Sequence, residues 1–481
     1  MTETLSYPAD RLEQARGDFL RRYPGYAGTS AIDELRARDY ERLDRLGHTY
    51  LDYTGGGLYA ESQIRRHYEL LRDHILGNPH SGNPTSLAST ALVHEARAAV
   101  RRFFNASEDD YEIVFTANAS GALKLVGESY PFRPGGVFCL TYDNHNSVNG
   151  IREFAHVKGA TITYVPVRES DLRVEEEQLQ IVLRGTPPAG SRLFAYPAQS
   201  NFSGVQHPLA WVDEAHELGW DVLLDCAAYA PTNPIDLEVL RPDFVPISFY
   251  KLFGYPTGVG CLIARRDKLA KLRRPWFAGG TISLASVQAE DWYRLVPGAT
   301  GFEDGTLDYL SLPAITIGLE HLAAVGVPTI HRRVSALAGW FLEEARRLRH
   351  SNGASLIKVF GPQDMDRRGA TVALYIVDPH GHAYDVYDVE KAAADELISV
   401  RTGCFCNPGD GEVAHDITRD EMAACFADPS AAVTLVQCQR RIEDTTGKVP
   451  NTIRVSLGLA SDFGDVYRLL TFAERYRDRQ D

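Results

Sequence analysis

From Thr49 to about residue 311, short apolar runs recur, each followed by a polar or glycine turn and then an amphipathic stretch. YEIVFTA leads into SGALKLVGESY, GGVFCLTYD into SVNGIREFAHVKG, and RLFAYPAQ is followed by HPLAWVDEAHELG. DVLLDCAAYA, DFVPISFYK and GVGCLIARRDKLAKL extend the series. Apolar strands alternating with helices indicate an α/β fold around a mostly parallel sheet covered on both faces.

The pattern changes at residue 312. The helical stretch LPAITIGLEHLAAVGVPTIHRRVSALAGWFLEEARRLRH is followed by strand-like SLIKVFGP, ATVALYIVD, ELISVRTG and NTIRVSLG. Three parts are expected: an N-terminal helical segment, 1–48, packing with the small domain; a large α/β domain, 49–311; and a smaller α+β domain, 312–481. The polar, glycine-containing stretch from Asn407 to about Thr418 is expected to be an exposed loop.

Charge and cysteine usage narrow the function. Lys plus Arg number 50 against 64 Asp plus Glu, a net charge of −14 over 481 residues. Such a chain repels phosphate backbones and anionic membrane surfaces, and no basic stripe opposes that trend. No apolar run approaches the roughly 18 residues of a membrane span. The first residues carry acids and no apolar core, so no secretory leader is expected. Cys139, Cys226, Cys261, Cys404, Cys406, Cys425 and Cys438 are odd in number and scattered, which is no disulfide framework. A reducing cytoplasm is the expected location.

One lysine stands in a setting suited to chemistry. A lysine amine is nucleophilic only when neutral, and a pKa near 10.4 leaves about one part in a few thousand neutral at pH 7. Storage as an imine on an aldehyde cofactor removes that limit. In VPISFYKLFGYPTGVGCLIA an apolar run ends at Ser248-Phe249-Tyr250-Lys251, and Gly254, Gly258 and Gly260 follow before the next apolar run. Alone, Lys251 reads as an ordinary strand-end lysine. Its companions change that. Asp225 closes DVLLD, where a carboxylate can pair with a pyridine nitrogen or cap the following turn. In FTANASGALKL, Ala119, Ser120 and Gly121 are small residues at a helix start, suited to a phosphate or to a simple serine cap. His145, in TYDNHNSVNG, can stack on a flat ring or serve only as a loop histidine. Together they suggest pyridoxal 5'-phosphate (PLP).

The order and spacing of longer strings resemble one family. YLDYTGGGLY, GNPHSGNPTS, FTANASGALKLV, YPAQSNFSGVQHPL, SFYKLFGYPTGVG, FEDGTLDYL, VRTGCFCNPG and IRVSLGLAS span nearly the whole chain from residue 50. They are similar to the class V aminotransferase group of PLP enzymes, which contains the cysteine desulfurases, and within it to the desulfurase-like domain of molybdenum cofactor sulfurases. The resemblance implies the PLP-dependent transferase fold type I with a seven-stranded sheet. It implies Lys251 as the Schiff-base lysine, Asp225 on the pyridine nitrogen, and His145 stacked on the ring. Ser120, the Ala119 amide and Ser248 would hold the phosphate. Thr281 would reach that phosphate from a second subunit, so a homodimer is implied. Asn201 would lie near the PLP hydroxyl and substrate, and Arg454, with Arg401, would clamp the substrate carboxylate.

Cys406 would take sulfur from L-cysteine or a cysteine derivative, leaving a persulfide and alanine. Cys404 ranks second, and no metal site is expected because the Cys-x-Cys pair lacks a second pair at usable spacing. The resemblance is incomplete. Ala228 and Tyr250 stand where desulfurases usually have Gln and His, as also occurs in the sulfurase branch. Gly409-Asp410-Gly411 replaces the usual Gly-Ala-Cys ending, and a C-terminal acceptor-binding domain is not expected in a chain ending at Asp481. The sulfur acceptor, a protein or a small molecule, therefore stays open. The alternatives are a β-eliminating lyase, an aminotransferase or an epimerase without persulfide relay, and, more remotely, a non-catalytic scaffold.

Overall fold

A computed structural model describes residues 6–186, 190–427 and 433–479. Seven strands form the central sheet: β1 (Tyr111–Thr116), β2 (Val137–Thr141), β3 (Thr161–Val165), β4 (Arg192–Pro197), β5 (Asp221–Asp225), β6 (Phe244–Ser248) and β7 (Gly260–Arg265). Their order is β1-β7-β6-β5-β4-β2-β3. All neighbours are parallel except those of β7, which runs antiparallel to both β1 and β6.

Alternation along each strand feeds two cores. Ile113, Phe115, Cys139, Phe194, Val222, Leu224, Val245 and Ile247 pack on one face. Val114, Phe138, Leu140, Leu193, Leu223 and Phe244 pack on the other, against Ala122, Leu123 and Val126 of the helix α1 (Ala119–Ser129). Both faces are dry, which explains why the strands read as apolar runs instead of alternating patterns.

A second sheet is wholly antiparallel, with β8 (Ile357–Phe360), β9 (Thr371–Ile376), β10 (Arg401–Gly403) and β11 (Thr452–Ser456) in the order β8-β9-β11-β10. The long helix α2 (Val327–Arg347) packs on α3 (Phe463–Glu474). The N-terminal helices rest there too: Phe19 meets the rings of Trp340 and Phe463, and the Arg36 guanidinium pairs with Asp465 at 2.5 Å.

Two expectations need correction. Cys425 and Cys438 are joined in a disulfide, while Cys139, Cys226, Cys261, Cys404 and Cys406 are free. Cys425, in the turn after the helix Arg419–Ala423, and Cys438, on the helix Leu435–Thr446, share a separate apolar cluster with Ile442, flanked by Ile417 and Met422, and their Cα atoms lie 5.4 Å apart. The Asn407–Thr418 stretch is not an exposed loop either. Pro408–Ala414 is helical, and Asn407 and Asp410 expose no surface. Its polar side chains are buried because the large domain supplies partners for them, as described below.

Candidate functional site

Lys251 sits on the one-turn helix Phe249–Phe253 that leaves the end of β6. Gly254 ends that turn in the left-handed region, φ 80°, and a Cβ there would come within 2.3 Å of the Leu58 and Tyr59 backbone. The Gly55–Gly57 run lies beneath, with the Gly57 amide donating to the Tyr250 carbonyl at 3.0 Å. The TGGG string therefore serves close backbone packing under the lysine.

Lys251 faces a cavity of about 150 Å³ whose wall includes Ala119, Ser120, His145, Asn201, Asp225 and Ser248, with Gln199, Ala228 and Tyr250 completing it. Most enter from the C-terminal ends of parallel strands, the usual place for a ligand in such a sheet. Burial pulls the Lys251 amine below the ordinary lysine range; Asp225 and Cys406 oppose the shift, and Arg454 and Arg401 add to it. Burial lowers the His145 imidazole as well, and Lys251 pushes the same way, so the ring is neutral at pH 7. Its Nδ1 accepts the Ser147 amide at 3.1 Å, which fixes the ring at the start of a helical turn.

A phosphate-sized anion fits one end. Asn118 caps α1 by accepting the Gly121 amide at 2.9 Å, and the Ala119 amide donates to Ser248 Oγ at 2.9 Å. The Ser120 and Ser147 hydroxyls meet at 2.6 Å. Gly260 lets β7 pass this point, since a Cβ there would lie 2.5 Å from the Ile247 carbonyl oxygen and 2.6 Å from the Asn118 Cα. At the other end Asp225, nearly buried, accepts the Ala227 amide through Oδ1 at 2.9 Å. An amine, a carboxylate and a helix N-terminus on one flat cavity match a pyridine aldehyde phosphate.

The C-terminal domain adds the remaining groups. Arg401 and Arg454 are direct cross-strand partners on β10 and β11, so both guanidiniums project from the same face. Like charges in that position repel. Asp52, joined to β11 by a bridge to Ser456, lies between them. Its carboxylate accepts Arg454 Nη2 at 2.9 Å and Arg401 Nη2 at 2.6 Å. Arg454 Nη1 donates to the Asn201 carbonyl at 3.0 Å, its guanidinium lies 4.6 Å over the Phe405 ring, and its buried Nε has no protein partner. Cys406 is exposed, whereas the Cys404 thiol is partly covered and pushed up by burial.

Thr281 does not join the site. It is wholly buried, accepts the Ala278 amide at 2.9 Å and donates to the Ala278 carbonyl at 2.8 Å. Within the single chain the FAGGTIS turn closes on this side chain, away from the Lys251 cavity of the same chain. Asp52, Gln199, Asn407 and Asp410 were not singled out as site residues from sequence. The first two lie within the quoted strings YLDYTGGGLY and YPAQSNFSGVQHPL, but nothing local marks an acid that pairs with arginines about 350 and 400 residues away.

Comparison with known proteins agrees with this geometry. The family model "Aminotransferase class-V" matches residues 49–469. Molybdenum cofactor sulfurases of Solanum lycopersicum and Bos taurus are 33% and 35% identical, over 96% and 93% of this chain. The chain spans 60% and 52% of the length of those relatives. Among solved structures, a cysteine desulfurase from Thermococcus onnurineus aligns with a TM-score of 0.72 at 21% identity, covering 92% of this chain and 97% of that one. One from Escherichia coli aligns with a TM-score of 0.71 at 19% identity, covering 92% and 98%. Another solved structure, a C-DES lysine mutant with glycine covalently linked to the PLP cofactor, aligns with a TM-score of 0.67 at 18% identity, covering 91% and 98%. These likenesses bear out the fold type I expectation, and the family match over most of the chain shows that the protein belongs to the class V aminotransferases.

Proposed function

We propose that the chain is a PLP-dependent cysteine desulfurase that moves the sulfur of L-cysteine, or of a cysteine derivative, onto Cys406 and releases alanine. The observation that carries this reading is the convergence of Lys251, Asp225 and the α1 N-terminus on one cavity, with the free, exposed Cys406 close enough to act on the Lys251 charge. The names of the relatives and of the solved structures support the same reaction class.

Bound PLP supplies the electron sink that such chemistry needs. The chain's own residues do the rest. Asp225 would face the ring nitrogen, His145 would cover the ring, and the Ala119 amide with Ser120 and Ser248 would take the phosphate. Lys251 would hold the aldehyde group at rest and would move protons at the substrate α and β carbons. Burial lowers its basicity, which favours the neutral amine relative to an exposed lysine. Arg454 would receive the substrate carboxylate, its Nε having no partner among the described residues. The Cys406 thiolate attacks the substrate sulfur; an S–S bond forms as the C–S bond breaks, and the C–S electron pair stays with the carbon skeleton. Protonation of that carbon gives alanine, so cysteine plus thiol becomes alanine plus persulfide with no outside oxidant.

The test is incubation of the holoenzyme with L-cysteine and a thiol reductant, with alanine, pyruvate and sulfide measured. Alanine with a Cys406-dependent persulfide supports the proposal. Pyruvate and ammonia with Cys406→Ala fully active would instead establish β-elimination. We also propose a homodimer, on the support of Trp276, Leu284 and Trp292, large apolar side chains each more than half exposed on one segment. Sedimentation velocity of the holoenzyme checks it, and a monomer at micromolar concentration refutes it.

A further inference from the structure

Cys406 and its neighbour Phe405 both have left-handed backbones, φ 56° and 55°. Residues with a side chain rarely adopt this conformation, and two in succession persist only where the surroundings impose them. Three hydrogen bonds do so directly. The Asn146 amide donates to the Cys406 carbonyl at 2.7 Å, Asn201 Nδ2 to the Phe405 carbonyl at 2.7 Å, and the Asn407 amide to the Cys404 carbonyl at 2.9 Å. The first ties the thiol-bearing residue to the residue after His145.

Behind them lies a polar cluster with no access to solvent. Asn407 Nδ2 donates to the Asp143 carbonyl at 2.9 Å and to Asn201 Oδ1 at 3.1 Å. Its Oδ1 accepts the Asp410 amide at 3.1 Å, and Ser200 Oγ donates to Asp410 Oδ2 at 2.5 Å. Gly409 permits the approach, because a Cβ there would lie 2.0 Å from the Tyr142 carbonyl oxygen. Asp410 stands where this chain departs from the sulfurase string. No arginine or lysine pairs with it among the described residues. Burial and the neighbouring Asp143, itself held by His207 Nε2 at 2.6 Å, push the Asp410 carboxyl well above the usual carboxylate range. An asparagine amide is the nearest uncharged isostere of that carboxyl.

We infer that Asn407 and Asp410 are positioning residues that clamp the Cys406 segment onto the large domain and so hold its thiol at the mouth of the Lys251 cavity. The inference rests on the reading of Cys406 as the sulfur acceptor.

The test uses holoenzyme carrying Asn407→Ala, Asp410→Ala or Asp410→Asn, with L-cysteine and a reductant. Three readouts are followed: alanine formation, the half-saturation of the cofactor absorbance change on adding L-cysteine, and the alkylation rate of Cys406 by iodoacetamide. The expected result is a fall in alanine formation of about a hundredfold in both alanine variants, as for displacement of a reacting atom by about 1 Å. Half-saturation should stay at the parental value, and Asp410→Asn should recover most of the loss. Parental rates in both alanine variants overturn the inference. So does loss of cofactor absorbance and substrate response in step with alanine formation in all three variants, which marks a merely structural role. If the parent forms neither alanine nor persulfide, the sulfur-transfer reading fails on its own. Alkylation then decides the clamp: faster in the alanine variants supports it, equal rates overturn it.

Discussion

Asp52→Ala should be among the most damaging single changes in the C-terminal half of the site, and the structure says by how much. The carboxylate serves two guanidiniums of different character. The Arg454 side chain is 3% exposed and that of Asp52 9%, whereas that of Arg401 is 51% exposed. Removing the acid leaves Arg454 buried, with one bond to the Asn201 carbonyl and no counter-charge. Breaking a buried pair on one side costs about 3–5 kcal/mol. The Arg401 half faces solvent and contributes about 0–1 kcal/mol. The sign is consistent with the Arg454 guanidinium itself, which burial pulls below the ordinary arginine range while Asp52 opposes the shift. Urea unfolding followed by tryptophan fluorescence should therefore rank the losses Asp52→Ala, then Arg454→Ala, then Arg401→Ala. In double-mutant cycles the Asp52–Arg454 coupling should reach about 2–3 kcal/mol, and the Asp52–Arg401 coupling should stay below about 1 kcal/mol and weaken in 1 M salt. Equal couplings, or a loss below about 1 kcal/mol in Asp52→Ala, would refute the reasoning.

Other outcomes follow from the same geometry. Gly260→Ala drives a methyl into the backbones of Ile247 and Asn118; a loss of about 1–3 kcal/mol and weaker PLP uptake are expected, and unchanged PLP titration would contradict it. PLP uptake by the apoprotein should rise with pH to a midpoint below 10.5, because burial depresses the Lys251 amine; a midpoint at or above 10.5 would argue against it. His415, bonded to Tyr375 Oη and Thr452 Oγ1, is pushed down to about 3 by burial, with Lys358 adding to the effect. From pH 6.5 down to about 3 the unfolded chain therefore binds the extra proton, and stability falls as pH falls, by up to about 1.4 kcal/mol per pH unit. His415→Gln should remove that slope between pH 6.5 and 5, read from urea midpoints. Iodoacetamide at pH 7 should modify exposed Cys406 before Cys404, whose thiol burial pushes up; peptide mass spectrometry gives the order.

What could be read in the sequence follows from range. The central sheet was legible because its signal is local: dry faces make apolar runs, and turns with glycine bound them. Lys251, Asp225 and the Ala119–Gly121 helix start were legible because each closes or follows such a run. Asp52 was not, since its meaning depends on β11 lying beside it, and YLD carries no trace of that pairing. Asn407 and Asp410 misled for the opposite reason. Polar and glycine residues mark exposed loops when considered alone, but here Ser200, Asn201 and the Asp143 carbonyl bond them inside the protein, with Asp410 Oδ1 left without a partner among the described residues.

The site is built from two halves with different demands, and the fold answers them separately. Lys251 must be kept dry, because burial, with Arg454 and Arg401 adding to it, lowers the amine against the pull of Asp225 and Cys406. Rigid strand ends of one sheet meet that need, and they are contiguous in the large domain. A thiol that accepts sulfur and passes it on must instead be reachable from solvent, so it cannot belong to the same dry wall. Cys406 meets this need from a segment of the other domain, exposed at its thiol but fixed along its backbone by Asn146, Asn201 and Asn407. Simple amine transfer or β-elimination makes no use of an exposed thiol held on strained backbone. The strain at Phe405 and Cys406, and the buried polar cluster that sustains it, therefore weigh toward sulfur transfer more than the lysine does, because the lysine is common to every reaction this scaffold supports.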